Sequence, residues 1–355
     1  MMGADVGDSD VAVAMVAKQA GLVLASPDDL TVERRRDGKD FIYVKANGQP
    51  VRDERMIKRF RSLAVPPAYE EVRLAANARA HLQAVGRDEA GRLQYRYHPK
   101  WNEVRENLKV ERLASALKAL PKIRAAASRD LSRRALDRRK ALAAAVSLLD
   151  ATHMRVGCEQ YARKNKSFGI ATLQKRHIDI RHETLSLSFV GKGGKDITCM
   201  VRSPRLVRAL ARMVELPGRR LLKYRDEGGR IRNIRAEDIN AYLSEIAGLP
   251  VTAKDLRGLG ACAAAAEQLI EIDPAETESR QRRQIAEVMR GVSERLANTP
   301  AIVRKSYVHA VVVEGFRSGA LRQAYEASRG RAGVRRVERA LRALVDQHSA
   351  SETAG

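Results

Sequence analysis

Aromatic side chains are scarce in this chain, at 4 % of residues with a single tryptophan. Binders of single-stranded nucleic acid stack bases on aromatic faces, so this scarcity argues against a stacking-rich single-strand binder. Cysteine is rare as well. Cys158, Cys199 and Cys262 fit no zinc-ligand spacing and leave an odd number. The sequence therefore predicts a reduced, cytoplasmic protein with no disulfide framework and no structural zinc. Long apolar runs are missing. The stretch Val11 to Ala25 is interrupted by Lys18 and Gln19, is too short to span a bilayer, and has no basic segment in front of it. Neither a membrane span nor a signal peptide is expected. There is no Gly-rich loop ending in Lys-Ser/Thr, so no nucleotide cofactor is expected either. Acidic residues are in deficit: 43 Asp and Glu face 66 Lys and Arg, giving a net charge of +23. Such an excess favours a polyanionic partner, most often nucleic acid, and a place on the nucleoid.

A chain of 355 residues has room for two domains with sizeable cores. The first residues are small and acidic, and residues 1–20 are expected to form a disordered extension. From Arg34 to His98 the pattern is β-rich. Phe41-Ile42-Tyr43-Val44 runs into Asn47-Gly48, a hairpin signal. Ile57 to Leu63 reads as a short helix stopped by Pro66-Pro67. His81 to Val85 and Leu93 to His98 flank the polar turn Gly86 to Gly91. In the second of these strands Leu93, Tyr95 and Tyr97 alternate with Gln94, Arg96 and His98. After Trp101 the composition turns to Ala, Leu and Arg with helical periodicity. The predicted organisation is a β-rich domain over 21–98, a catalytic domain over 99–330, and a basic helix or tail over 331–355. Helices are expected at Arg133 to Thr152, Pro204 to Glu215, Ala236 to Ala247, Ala253 to Ile270, Arg280 to Ala297 and Pro300 to Phe316. A β-hairpin interrupts them, with Leu185, Leu187 and Phe189 alternating on one strand and Ile197, Cys199 and Val201 on the other. Gly191-Lys192-Gly193-Gly194-Lys195 forms its tip. The fold class is α+β.

Thr299 suits a helix cap and Pro300 the first helical position, which places Tyr307 about two turns inside the last of these helices. Val303, Tyr307 and Val311 form an i, i+4, i+8 stripe, which by itself fits core packing. A tyrosine nucleophile acting on a phosphodiester needs charge on the non-bridging oxygens and an acid for the leaving oxygen. Arginine suits the first task, because its planar fork matches phosphate oxygens. Lysine suits the second, since neighbouring cations and burial lower its pKa. The chain offers Arg155 in His153-Met154-Arg155-Val156-Gly157, Lys192 at the hairpin tip, Arg257 after the capping box Thr252 to Asp255, and Asn298. His177 and His182 have no third ligand at metal-site spacing.

Taken together, Arg155, Lys192, Arg257, Asn298 and Tyr307 resemble, in order and local context, the catalytic set of type IB DNA topoisomerases. The likeness is to the small bacterial and virus-like branch. Arg155-Val156-Gly157 through Tyr161-Ala162-Arg163-Lys164-Asn165, Phe168-Gly169-Ile170-Ala171-Thr172-Leu173, and Phe189-Val190-Gly191-Lys192-Gly193-Gly194-Lys195 carry it in the second half. Tyrosine recombinases share this chemistry, so the second half leaves the two open. Leu63-Ala64-Val65-Pro66-Pro67-Ala68-Tyr69, Gly86-Arg87-Asp88 and Gly91-Arg92-Leu93-Gln94-Tyr95-Arg96-Tyr97-His98-Pro99-Lys100-Trp101 are similar to the topoisomerase DNA clamp, which recombinases lack. Several positions depart from the family pattern: Asn298 where many relatives have histidine, Leu256, Gly258 and Leu259 around Arg257 where the pattern is more aromatic and contains threonine, Cys158 where asparagine is usual, and Tyr69 where tryptophan is usual.

The resemblance implies a monomer that clamps double-stranded DNA and relaxes supercoils without ATP, metal or other cofactor, through a 3′-phosphotyrosyl intermediate on Tyr307. It implies that Arg155, Arg257 and Asn298 stabilise the transition state and that Lys192 is the acid. It also implies DNA contacts from Arg92, Gln94, Tyr95, Tyr97 and Lys195. The alternatives are a tyrosine recombinase or integrase, and a non-catalytic DNA-binding clamp of the same fold.

Overall fold

A computed structural model describes residues 8–38, 40–330 and 334–353. The chain divides into two compact units between Lys109 and Val110. The division falls further along than the compositional change, because the start of the helix Trp101–Leu131 packs in the first unit. There Trp101 and Val104 bury against Ala17 and Leu22.

The first unit opens with α1 (Asp8–Gln19), then β1 (Val32–Asp37), β2 (Asp40–Lys45), α2 (Glu54–Ser62), β3 (Glu70–Leu74), β4 (Leu82–Arg87), β5 (Leu93–Tyr97) and the first turns of α3 (Trp101–Leu131). Within the extension expected to be disordered over 1–20, Asp8–Gln19 form α1, whose Ala17 is buried; residues 1–7 lie outside the described part. The strands form one antiparallel sheet in the order β2-β1-β3-β4-β5. Asn47-Gly48 does make a tight turn: Gly48 N–H donates to Lys45 O, and Val51 N–H returns to Tyr43 O. The core is small and set by Val32, Tyr43, Phe60, Val72 and Leu74. Strand β5 is the sheet edge, and Tyr95 pairs opposite Val85.

The second unit holds the rest of α3, then α4 (Arg138–Thr152), α5 (Glu159–Lys164), β6 (Ile178–Arg181), β7 (Thr184–Val190), β8 (Asp196–Arg202), α6 (Pro204–Glu215), β9 (Lys223–Arg225), β10 (Ile231–Asn233) and α7 (Ala236–Ala247). It continues through α8 (Ala253–Ile270), α9 (Glu278–Arg295), α10 (Pro300–Ser306), α11 (Ala310–Arg317), α12 (Ala320–Ala327) and α13 (Val334–Thr353). α8 is the axis of the core, buried along almost its full length, and its alanines let α4, α9 and α11 approach closely. Among the described residues no helix is long and apolar enough to cross a membrane.

Two expectations change here. The helix predicted from Arg133 begins at Arg138. Asp137 accepts the Lys140 N–H as an N-cap and binds Arg133 across the break, so the chain turns at residues 132–137. The predicted helix Pro300 to Phe316 is two helices, parted at Tyr307 to His309. Of the two forms expected for the basic end, helix or tail, residues Val334–Thr353 adopt the helix. Val337, Leu341, Leu344 and Val345 join the main core, and Leu344 packs on Gly315, where a Cβ would come within 2.7 Å of it.

Candidate active site

Arg257 organises the second unit's site. The capping box of Thr252 with Asp255 starts α8 at Ala253, and the first turn carries Arg257 inward until only 4 % of it is exposed. One guanidinium nitrogen donates to His153 O at 2.6 Å and another to Leu296 O at 2.6 Å. Those carbonyls end α4 and α9, where helix geometry leaves acceptors unsatisfied and a cation is favoured. Arg257 thus ties two helix ends together, and a candidate catalytic residue lies just beyond each of them.

After α4, His153 adopts a left-handed conformation, φ 52°, its N–H bonded to Leu149 O. The chain then extends through Arg155 into Gly157. Ile170 N–H donates to Arg155 O at 3.0 Å and Ala171 N–H to Val156 O at 2.7 Å. This crossing requires glycine on both sides. Gly157 has φ +86°, and a Cβ on Gly169 would sit 2.5 Å from Arg155 O and 2.6 Å from Gly157 N. The His153 ring packs on Gly260, where a Cβ would stand 2.2 Å from the ring. Burial, more than the nearby Arg295, Arg124 and Arg257 charges, pushes the His153 imidazole down to about 4 despite the opposing pull of Asp150, so it is neutral near pH 7.

After α9, Ala297 is left-handed at φ 47°, with Ala297 N–H bonded to Glu294 O and Asn298 N–H to Ser293 O. This is a Schellman turn built without glycine. It buries Asn298, 5 % exposed, next to Arg155, which donates to its Oδ1. Lys195 donates to its backbone carbonyl. Lys195, expected on DNA, is exposed at the edge of the site and holds this carbonyl. Lys192 instead lines a small cavity with Arg155, Arg257, Phe168 and Phe189, and its ammonium lies 5.9 Å from the Tyr161 ring.

Tyr307 comes immediately after α10. Its N–H bonds to Val303 O at 3.0 Å, Val308 N–H takes the same acceptor, and the Cys262 thiol donates to Tyr307 O at 3.3 Å. The break in the helix turns the half-buried phenol toward Arg257, whose guanidinium carbon lies 5.1 Å from the ring centre. Burial alone would raise the phenol pKa. The Arg257 charge and hydrogen bonding, then Arg155 and Asn298, outweigh it, and the net shift is downward. Burial and the Arg155 charge lower the Arg257 pKa in turn, with Tyr307 opposing. Arg257 Nε and Asn298 Nδ2 are buried donors with no hydrogen-bond partner. The structure thus brings Arg155, Lys192, Arg257, Asn298 and Tyr307 into one place, with Lys195 at its edge. The sequence assigns no role to His153, Leu296 or Cys262, because they act through backbone carbonyls or a thiol.

In the first unit, Tyr95 and Tyr97 are 43 % and 39 % exposed and do not fill the small core. Their rings stack at 6.2 Å, and Tyr97 stacks on Trp101 at 6.4 Å. Arg92 and Gln94 converge on Asp88 instead of standing free. Arg92 pairs with it at 2.8 Å and Gln94 Nε2 donates to it at 2.9 Å. These bonds, those of Arg92 foremost, pull the Asp88 carboxyl down to about 2. Among the described residues no three His, Cys, Asp or Glu side chains are grouped as a metal site needs. His177 packs edge-on against Phe168 at 4.5 Å, and His182 lies in a tight turn at φ 53°.

Two family models match the chain. The eukaryotic DNA topoisomerase I catalytic core matches residues 98–329, and the bacterial DNA topoisomerase IB N-terminal domain matches residues 40–88. Among curated proteins, DNA topoisomerase 1B of Acanthamoeba polyphaga mimivirus is 30 % identical over 290 residues, which span 80 % of this chain and 86 % of the relative.

Proposed function

The chain belongs to the type IB DNA topoisomerases, isomerases that act on DNA, and from that premise we propose that Tyr307 is the nucleophile of a supercoil-relaxing cycle. The observation that carries the reading is the convergence of Arg257, Arg155 and Asn298 on the Tyr307 phenol, with a net lowering of its pKa.

In this reading the phenol loses its proton to water and its oxygen attacks a backbone phosphate of duplex DNA. The bond from Tyr307 to phosphorus forms and the bond to the 5′ oxygen breaks, leaving a 3′-phosphotyrosine. Negative charge grows on the two non-bridging oxygens. Arg155, Arg257 and the buried Asn298 Nδ2 donate there, in a site where buried donors need no reorganisation. Lys192 protonates the leaving 5′ oxygen. Its place in the cavity with Arg155 and Arg257 favours it over Lys195, whose ammonium is already bonded to Asn298 O. The freed strand turns, and the 5′ hydroxyl then reverses the attack. Torsional strain in the DNA drives the net change, so the cycle needs neither ATP nor a metal ion. Tyr95 and Tyr97, exposed on the sheet edge, supply DNA contacts from the first unit, and the protein works as a monomer.

The test is supercoiled plasmid plus protein in EDTA without ATP. The expected result is a ladder of relaxed topoisomers. Relaxation that depends on added magnesium or ATP contradicts the reading, and joining of two duplexes points to a recombinase.

A further inference from the structure

A second group of cations lies outside the catalytic cavity. The segment after Leu173 runs beside the segment after Leu216. Lys175 N–H donates to Arg219 O at 2.9 Å and Leu221 N–H to Leu173 O at 2.9 Å. This pairing fixes Lys175, Arg176 and Arg219, with Lys166, around one open depression. Arg176 is held over the Phe168 ring at 5.9 Å, and Phe168 also lines the catalytic cavity.

Beneath the depression lies Lys223 on β9, with no solvent exposure. Its ammonium donates to Gly218 O at 2.8 Å. Burial, then the charge and hydrogen bonding of Lys175, pushes its pKa down to about 8. Among the described residues no carboxylate forms an ion pair with Lys166, Lys175, Arg176, Arg219 or Lys223. The adjacent Arg220 differs, since its charge is met by Glu159 and by Ala171 O. A cation buried without a counter-charge is costly, and like charges held together by paired backbone add to that cost. The fold keeps the cluster, so its counter-charge comes from outside the protein. The neighbouring groove shares Ala162, Lys166, Phe168 and Gln174 with this depression and continues to Arg163, Lys164 and Arg232. The groove carries Glu159, Glu237 and Asp238 as well, and Arg232 pairs with Asp226, so among the described residues the unpaired cations concentrate at the depression and at the Arg163-Lys164 end, spaced as a polymeric anion rather than a single small one would need.

We propose that the depression bounded by Lys166, Lys175, Arg176 and Arg219, with Lys223 beneath it, is a second phosphate site that takes a backbone phosphate flanking the one attacked by Tyr307. The assignment rests on the proposed cleavage of DNA.

The experiment is a salt series of duplex binding by fluorescence anisotropy, using Tyr307→Phe protein so that binding is read without cleavage. In that background a Lys175→Gln/Arg176→Gln/Arg219→Gln triple variant is compared with Arg335→Gln/Arg339→Gln/Arg342→Gln, which removes the same charge from α13. Emptying one phosphate site lowers the slope of log K against log salt by about 0.9, so the first triple should lose about 0.9 and bind roughly tenfold more weakly at 0.1 M salt. Arg219→Gln alone, at an exposed position, should lose about a third of that slope. The α13 triple should keep the parent slope. A groove triple with the parent slope, or an α13 triple that loses as much, overturns the proposal. A free-anion site is separated by titrating inorganic phosphate at constant ionic strength. Saturable protection against thermal unfolding that the groove triple lacks, with its DNA slope unchanged, would assign the pocket to small anions and overturn the DNA assignment. Covalent trapping of the Tyr307 protein on DNA is scored separately. Absence of the adduct with the slope difference intact would remove the cleavage reading and leave a DNA-phosphate site.

Discussion

Tyr307 and Tyr97 are both tyrosines in strongly basic surroundings, yet their acidities move in opposite directions. Burial raises both phenols. At Tyr307 the cation sits close enough to the hydroxyl to win, because Arg257 is itself fixed on two helix ends. At Tyr97 the nearby cation, Arg105, lies over the ring at 5.9 Å and only moderates an upward shift. A positive surface does not by itself make a tyrosine nucleophilic. The charge must be aimed at the oxygen and held there by groups that cannot follow it if it moves.

Arg257→Ala is the strongest way to break this contrast. It removes the charge that lowers Tyr307 and leaves His153 O and Leu296 O without their donor. Single-turnover cleavage should fall by roughly 10² to 10³-fold or more, and stability should drop by about 1–3 kcal/mol for each buried carbonyl left unsatisfied. The pH–rate rise that reports the phenol should move upward, toward the ordinary tyrosine value. Arg257→Lys should recover little, since one ammonium cannot span both carbonyls and the phenol. Full activity in Arg257→Lys would contradict the fork geometry.

Lys192→Ala should slow cleavage by roughly 10² to 10⁴-fold, and a 5′-thio leaving group, which departs without a proton, should restore most of it. Lys195→Ala should give a smaller defect that sulfur does not rescue, because its role here is to hold Asn298. Rescue of Lys195→Ala alone would exchange the two assignments.

The Tyr97 side of the comparison predicts a different phenotype. Tyr95→Ala and Tyr97→Ala should each weaken duplex binding by about three- to tenfold, the range of a lost hydrogen bond or two, as read by anisotropy. Gln94→Ala should have the smaller effect, since Gln94 is partly engaged by Asp88. An unchanged dissociation constant in the Tyr95→Ala/Tyr97→Ala double variant would remove this strand from the DNA interface.

His153 offers the gentlest probe. Its folded pKa lies below the ordinary histidine value, so the folded state binds the proton less readily than the unfolded chain. The stability this contributes is present above about 6.5 and is lost as pH falls through about 4. His153→Leu should remove that part of the acid sensitivity in denaturant titrations. An identical pH dependence in the variant would place the effect elsewhere.

How much of this was legible depends on where the determining interactions lie. α6, α7 and α8 agree with their expected bounds because their starts are written locally, in Ser203-Pro204, in Asp238 below Arg235, and in Thr252 with Asp255. Asp137 carries a comparable cap signal, but the basic helical pattern around it obscured it. The hairpin of β9 and β10, turning at Asp226 to Gly229, was legible in its Gly pair yet too short to stand out by periodicity. Pro121 reads as a breaker, yet it lies inside α3. The break at Tyr307 had no local signature. Residues from Ile302 to Val313 suit a helix, and what interrupts it includes the Cys262 thiol on the Tyr307 carbonyl, from a residue far away in sequence. The identities of Arg155, Arg257, Asn298 and Tyr307 came through motif context. Their geometry depends on left-handed turns at His153 and Ala297 that neither residue type advertises.

The central claim is that Tyr307 carries the covalent bond. Labelled duplex is incubated with Tyr307 and Tyr307→Phe proteins, quenched in denaturant and resolved on a denaturing gel, beside a binding titration of each. Phe keeps the ring packed beside Arg257 and loses one oxygen, so the expected result is a covalent band for the parent protein, none for Tyr307→Phe, and similar dissociation constants. A band of parental intensity in Tyr307→Phe would contradict the claim.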